Sequence, residues 1–139
     1  MITSLQMTTK KRFAVVGSRS FCDRDTFNRV MDDIIAKERV PETIVSGGAV
    51  GADTMAYEWA QERNIQTLIF KPRYKDYPRN VRHWMPAKDR NTSIVENSDL
   101  VIAFWDMVSN GTKDTIDKSV EKGLKVYVYC FNENKYQIL

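Results

Sequence analysis

Thr43-Ile44-Val45-Ser46-Gly47-Gly48-Ala49-Val50-Gly51-Ala52-Asp53 decides how this chain folds. A β-branched run ends abruptly in adjacent glycines. It is followed by a stretch in which Ala52, Ala56, Ala60 and the Met55–Trp59 pair share one side at helical spacing. Branched side chains favour extended backbone, glycine supplies the turn, and the spacing of three and four marks a helix. The order is strand, tight turn, helix, with the helix expected over residues 52–63.

The same grammar extends in both directions. Upstream, Phe13-Ala14-Val15-Val16 closes in Gly17-Ser18-Arg19-Ser20, and then Phe27, Val30, Met31, Ile34 and Ile35 form one apolar helical face. Carboxylates at Asp23 and Asp25 suit the positive end of that helix, and Pro41 stops it. Downstream, Thr67-Leu68-Ile69-Phe70 is a third run, followed by Pro72, Pro78 and Pro86 as breakers and by a helix over residues 86–96. Leu100-Val101-Ile102-Ala103-Phe104 is a fourth run. A fourth helix is expected from near Thr112 to Lys122, with Gly123 just beyond it, and a fifth run is Val126-Tyr127-Val128-Tyr129. Runs apolar on both faces, separated by helices, imply a parallel sheet covered on both sides. Right-handed crossovers reduce the options to an α/β doubly wound parallel sheet of about five strands with helices on both faces.

The 139 residues fit a single domain, with a polar N-terminal tail over 1–11 and a C-terminal extension over 130–139 too short and polar to assign. At 42% hydrophobic and 28% charged, the composition can build a core, which excludes wholesale disorder and a disulfide-stapled miniprotein. The longest apolar run, Leu100–Trp105, is far short of the roughly 20 residues needed to span a bilayer. Residues 1–12 are polar and show no signal segment. Cys22 and Cys130 can pair in principle, but such sparse cysteine usage suits a reducing compartment. A soluble cytoplasmic protein with no membrane partner is expected. His83 is the only histidine and has no Cys/His cluster around it, which argues against a metal site and a His-based triad. No cofactor is implied.

The net charge of +3 conceals an asymmetry. Residues 71–90 contain seven basic and two acidic residues, so that stretch carries +5. Concentrated positive charge attracts an anionic partner, although a solvated loop has the same composition. In open parallel sheets the binding crevice lies beyond the carboxyl ends of the strands, where strand order reverses. Three turns due on that edge are suited to an anion: Gly17-Ser18-Arg19-Ser20; the stretch from Ser46 to Asp53 that contains Gly47, Gly48 and Gly51; and Ser109-Asn110-Gly111-Thr112. Glycines let successive amides face one oxygen, and a following helix adds its unpaired N–H groups. Any strand-to-helix turn also needs a glycine and a cap, so each has a purely structural alternative. Neither G-x-G-x-x-G nor G-x-x-x-x-G-K-[ST] occurs.

Arg90, followed by Asn91, is placed to clamp a phosphate, with a surface salt bridge as the alternative. Asp53 and Glu58 are the carboxylates nearest the double glycine and the catalytic candidates, while Asp106 can accept a ribose hydroxyl or simply form a turn. Tyr74, Tyr77 and Trp84 lie among the basic residues, either to stack on bases or to pack on the sheet edge.

Taken together, Val15-Val16-Gly17-Ser18-Arg19-Ser20-Phe21, the stretch from Ser46 to Asp53, Arg90-Asn91 and Gly111-Thr112 resemble the SLOG superfamily, and its YspA-like branch in particular. The resemblance spans residues 12–129 and implies a Rossmann-like fold that binds nucleotides or nucleotide-derived ligands. Relatives include the LONELY GUY phosphoribohydrolases and the DprA proteins, which bind single-stranded DNA. It implies a ligand site lined by Gly17, Ser18, Arg19, Gly47, Gly48, Asp53, Arg90, Asn91, Gly111 and Thr112, to which the turn adds Gly51. The phosphoribohydrolase signature Pro-Gly-Gly-x-Gly-Thr-x-x-Glu reads here Met107-Val108-Ser109-Asn110-Gly111-Thr112-Lys113-Asp114-Thr115, so Thr115 stands at the catalytic glutamate position. Asp114, about 100° away around a helix, is a poor replacement.

The function expected is binding of a nucleotide-derived small molecule through a phosphate-binding loop. Its role would be that of a sensor or sequestering protein in phage or bacterial nucleotide signalling. The alternatives are a nucleotide N-glycosidase or phosphoribohydrolase using Asp53 or Glu58, and single-stranded nucleic-acid binding through residues 71–90. Because SLOG relatives often assemble, a homo-oligomer is also an expectation.

Overall fold

The computed structural model describes residues 11–82 and 84–139. Residues 1–10 of the polar N-terminal tail and His83 lie outside the described residues. Six strands alternate with four helices in the order β1 (Arg12–Gly17), α1 (Arg24–Glu38), β2 (Thr43–Ser46), α2 (Ala52–Glu62), β3 (Gln66–Ile69), α3 (Met85–Glu96), β4 (Leu100–Trp105), α4 (Asn110–Lys122), β5 (Lys125–Cys130) and β6 (Lys135–Ile138). Across the sheet the order is β3-β2-β1-β4-β5-β6. Every pairing is parallel except that of β5 with β6. The chain begins at the centre, winds outward to β3, then crosses back to lay β4 on the other side of β1. Strand order therefore reverses between β1 and β4, where their C-terminal ends diverge into different loops.

Alternation along the strands feeds two apolar layers. Phe13, Val15, Ile102 and Phe104 meet Phe27, Met31 and Ile34 of α1 and Met55 and Trp59 of α2. The opposite faces, Ala14, Val16, Val101 and Ala103, meet Ile94 of α3 and Ile116 of α4. Phe21, Phe27 and Phe104 form a stacked aromatic group under the first loop, with ring centroids 5.0 Å apart for Phe21–Phe104 and 4.8 Å for Phe27–Phe104. Helix α1 begins where the sequence suggested. Asp23 caps it, its Oδ1 accepting from the Thr26 amide at 3.1 Å.

The expected parallel sheet of about five strands is present as β1 to β5, and β6, formed from the polar tail, adds a sixth strand antiparallel to β5. All four β6 residues are exposed, and their Lys-Tyr-Gln-Ile alternation is too short to announce the strand. It is held instead by its ladder, by the Leu139 amide donating to the Val126 carbonyl at 2.8 Å, and by Tyr136 packing on Tyr129. Cys130 is accordingly the last residue of β5 rather than the first of an extension. Helix α4 starts at Asn110, two residues earlier than expected, so Gly111 and Thr112 occupy its first turn instead of the loop before it. Cys22 is exposed and Cys130 buried, and both are free.

Gly17 marks the tightest joint in this framework. A Cβ there would lie 2.6 Å from both the Ala52 Cβ and the Phe104 carbonyl oxygen, so α2 and β4 approach β1 as closely as they do only because the side chain is missing. Gly17→Ala is expected to cost about 1–3 kcal/mol, as overpacking of a filled interior does, read as a lower urea midpoint with an unchanged slope. An unchanged midpoint would show that the joint relaxes freely.

Candidate functional site

Parallel strands deliver their following loops to one edge, and three of these loops meet above the β1/β4 divergence. They enclose, together with α3, a cleft of about 500 Å³. Ser18 and Arg19 come from the loop after β1, Asp53 from the first turn of α2, Arg90 and Asn91 from α3, and Gly111 and Thr112 from the first turn of α4. Gly17 lies at its base, and Val16, Ala87 and Ile94 supply apolar wall.

The double-glycine turn is organised differently from the phosphate cradle expected of it. The amides of Gly47 and Ala49 both donate to Asp53 Oδ2, each at 3.2 Å, and the Gly48 amide turns to Ser46 Oγ at 3.5 Å. The anion held by this loop is the protein's own carboxylate. Gly47, Gly48 and Gly51 consequently do not line the cleft. Their small size serves the packing behind it. A Cβ on Gly47 would lie 2.5 Å from Arg90 Nη1, and one on Gly51 would lie 2.8 Å from the carbonyl oxygens of Ser18 and Arg19. Gly51 also adopts a φ of 85°, which side chains resist.

Asp53 is buried, and its carboxyl is pushed up to about 6. Burial is the main cause, opposed by the Ala49 amide, the charge of Arg90, the Gly47 amide and the charge of Arg19. Arg90 lies across Gly47 from it. Its Nη1 donates to the Gly47 carbonyl at 2.8 Å and the Phe70 carbonyl at 3.4 Å, and its Nε to Asn91 Oδ1 at 3.0 Å. Burial lowers the Arg90 pKa while the charge of Asp53 raises it, and a guanidinium stays cationic under any such shift. Among the described residues Arg90 Nη2 makes no hydrogen bond, and the exposed Arg19 guanidinium makes no hydrogen bond or ion pair. The buried Asn91 ties α3 to α4 by donating to the Gly111 carbonyl at 3.3 Å and Asp114 Oδ2 at 3.1 Å.

The far wall is the α4 terminus. Asp106 Oδ1 accepts from the amides of Val108 and Ser109 at 2.9 and 2.7 Å and from Ser109 Oγ at 2.8 Å. Burial raises its pKa, but these bonds and the Ser18 hydroxyl outweigh that and leave it lowered. Ser109 Oγ also meets Ser18 Oγ at 2.8 Å, so the loops after β1 and β4 are joined through hydroxyls. The side chain of Ser109 does not cap α4, and the N–H groups of its first turn have no partner within the helix. Thr115 lines the cleft with its hydroxyl donating to the Gly111 carbonyl, whereas Asp114 turns away to Asn91 and Lys118.

Of the two candidate catalytic carboxylates, only Asp53 is at the cleft. Glu58 is half-exposed on α2 and pairs with Arg24 at 2.9 Å, because five residues along a helix carry a side chain well away from the first turn. The basic segment is not one free positive surface either. Arg73 pairs with Asp76 at 2.6 Å, Tyr77 donates to Asp89, and Arg90 points inward. Among the described residues no group of three or more His, Cys, Asp or Glu could hold a metal ion, and no helix is long and apolar enough to cross a membrane. What sequence reasoning missed was the pairing of Asp53 with the amides of Gly47 and Ala49. An acidic residue two positions into a helix that follows a double glycine was the available signal.

Residues 11–77 match the family model described as YspA, cpYpsA-related SLOG family. Over those residues the chain resembles the SLOG family. No curated protein matches it. Among solved structures it is similar to DNA processing protein A (DprA) from Streptococcus pneumoniae, at 25% identity and a TM-score of 0.65 over 85% of this chain and 50% of that one. It is also similar in fold to DprA from Helicobacter pylori, a structure described for its unique single-stranded DNA binding mode, at 21% identity and a TM-score of 0.63 over 86% of this chain and 65% of that one. This chain thus spans half to about two-thirds of the length of these proteins. Their fold agrees with the six-stranded, mostly parallel sheet described above.

The buried carboxyl makes stability depend on pH in a definite direction. The folded protein keeps the Asp53 proton up to about 6, whereas the unfolded chain releases it near 3.8. Ionisation therefore removes stability as pH rises through that window. Asn at this position can still accept from Gly47 and Ala49 but does not ionise. Asp53→Asn is expected to gain on the wild type between pH 4 and 7, by on the order of 2–3 kcal/mol in urea unfolding. Parallel pH curves for the two proteins would show that Arg90 and the amides fully compensate the charge.

Proposed function

We propose that this SLOG-like domain binds a phosphate-bearing nucleotide or nucleotide-derived ligand in the cleft above β1 and β4. The observation that carries the reading is a hydrogen-bond imbalance. Both carboxylates at the cleft are already supplied with donors by the protein, Asp53 by two amides and Asp106 by two amides and a hydroxyl. The cations are not matched in return, because Arg90 Nη2 and the whole Arg19 guanidinium lack acceptors among the described residues. The uncapped first turn of α4 adds further donors on the opposite wall. Surplus donors around a cleft of about 500 Å³ suit a small anion with one organic arm.

Binding without turnover is favoured over N-glycosidic cleavage. Position 115, where the phosphoribohydrolase signature has its glutamate, faces the cleft with a hydroxyl bonded to the protein's own backbone. Glu58 is remote, and Asp53 is already engaged by two amides. A second reading, single-stranded nucleic acid, draws support from the likeness to the Helicobacter pylori protein and from exposed Lys71, Tyr74, Lys75, Arg79 and Arg82 beside the cleft.

Titration calorimetry with a panel of nucleoside 5′-monophosphates tests the reading. Arg90→Ala and Arg19→Ala are each expected to weaken binding roughly tenfold or more, as loss of a charge-assisted bond does, while Glu58→Ala has no effect. Affinity should fall moderately with salt and not grow with strand length beyond a dinucleotide. Steep salt dependence together with growth over oligomers would favour the nucleic-acid strand instead. Indifference to both arginine changes would remove the cleft as the site.

A further inference from the structure

Next to the cleft, α3 and α4 diverge to leave a second hollow of about 580 Å³, with Trp84, Ala87 and Lys88 on one side and Asn110, Gly111 and Lys113 on the other. The two hollows adjoin, and Ala87, Asn91 and Gly111 border both. Their border is low, with one methyl at Ala87 and no side chain at Gly111, and is crossed by the Asn91 amide that donates to the Gly111 carbonyl at 3.3 Å. At the outer end is Trp84, the residue preceding α3, whose large apolar ring remains 42% exposed. Only flexible cations lie over the ring, with Lys88 Nζ 5.2 Å and Arg82 Cζ 5.9 Å from its centroid. The remaining charged groups here satisfy one another, Lys113 with Asp117 and Lys118 with Asp114.

We infer that this groove is a base-stacking subsite: a ligand anchored by its phosphate among Arg19, Arg90 and the first turn of α4 lays a nucleobase on Trp84. The inference rests on the cleft reading and names the other half of its ligand. Trp84 and Asn91 are seven residues apart, about 10 Å along α3, which is a distance a nucleotide bridges between phosphate and base. An exposed indole stacks on any base, most strongly on a purine, and the cations above the ring can move to a neighbouring phosphate. The base is either that of the anchored mononucleotide or that of the next nucleotide in a 5′-phosphorylated dinucleotide.

The test compares ribose 5-phosphate, AMP, UMP and the dinucleotide pApA by calorimetry on the wild type, Trp84→Ala and Trp84→Phe. Wild-type protein is expected to bind a base-bearing ligand about tenfold more tightly than ribose 5-phosphate, AMP more tightly than UMP. Trp84→Ala should abolish that advantage and leave ribose 5-phosphate unaffected, and Trp84→Phe should restore part of it. An advantage confined to pApA and lost in Trp84→Ala assigns the groove to the second nucleotide and upholds the inference. Equal affinity for all four ligands, or an equal loss for all four in Trp84→Ala, overturns the stacking subsite while leaving the cleft intact. Failure of ribose 5-phosphate and every nucleotide to bind overturns the cleft reading and the subsite with it.

Discussion

A carboxylate taken out of water must find donors inside the protein, and at Asp53 that requirement organises the whole binding edge. Two amides of the β2–α2 turn converge on Oδ2, so the turn is fixed by the first residues of the helix it leads into. Arg90 answers the same charge from α3, on the opposite face of the sheet, and donates to the carbonyl of Gly47, whose amide serves Asp53. One glycine is thus held between an acid and a base from different layers. A side chain at that position would collide with both groups, the Asp53 Oδ2 lying 2.9 Å and the Arg90 Nη1 2.5 Å from the site of its Cβ. Gly47 is explained by this close approach, and Gly48 by its φ of 71° and by Ile69 Cγ2, which a Cβ would meet at 2.9 Å, with no need for an external phosphate on their amides.

That arrangement also sets what remains for a ligand. Had the Gly47 and Ala49 amides been free, the turn itself would have been the anion site. Because Asp53 uses them, the available donors shift across the cleft to Arg90 Nη2, Arg19 and the α4 terminus. The Ser18–Ser109–Asp106 hydroxyl and amide cluster performs the same service on the other side, bracing the loop that aims α4 at the cleft. Each wall of the cleft is therefore rigid for internal reasons, and binding needs little reordering of the protein, which is the condition under which few contacts yield useful affinity.

The fold was legible in the sequence because strands β1, β2, β4 and β5 are buried on both faces and so read as apolar runs, while the helices between them repeat apolar residues at spacings of three and four. Strand β6 did not stand out, because its Lys-Tyr-Gln-Ile alternation is only four residues long and all of them lie exposed at the sheet edge, held by ladder bonds and one tyrosine contact. The candidate cleft was half legible. Gly-rich turns and arginines identified the edge on which it lies, since topology alone delivers them there. Which amides are occupied depends on where the Asp53 carboxylate swings, and whether Glu58 faces the ligand depends on helical phase and on Arg24. Both are three-dimensional facts that residue identity constrains only weakly.

The same reasoning separates the charges that bear on binding from those that do not. Composition assigned the segment over residues 71–90 a single positive character, yet folding sorts its cations into four groups. Arg73 is neutralised locally by Asp76, Arg90 is drawn inward towards Asp53, Lys88 and Arg82 are held over an indole ring, and Lys71, Lys75 and Arg79 are exposed. Only Arg90 has a guanidinium fixed in place with a donor to spare, and fixed donors discriminate geometry whereas mobile ones supply only attraction. On the proposed reading, a ligand would be selected chiefly by how its phosphate fits between α3 and α4, with the surrounding lysines and arginines raising its local concentration rather than choosing it.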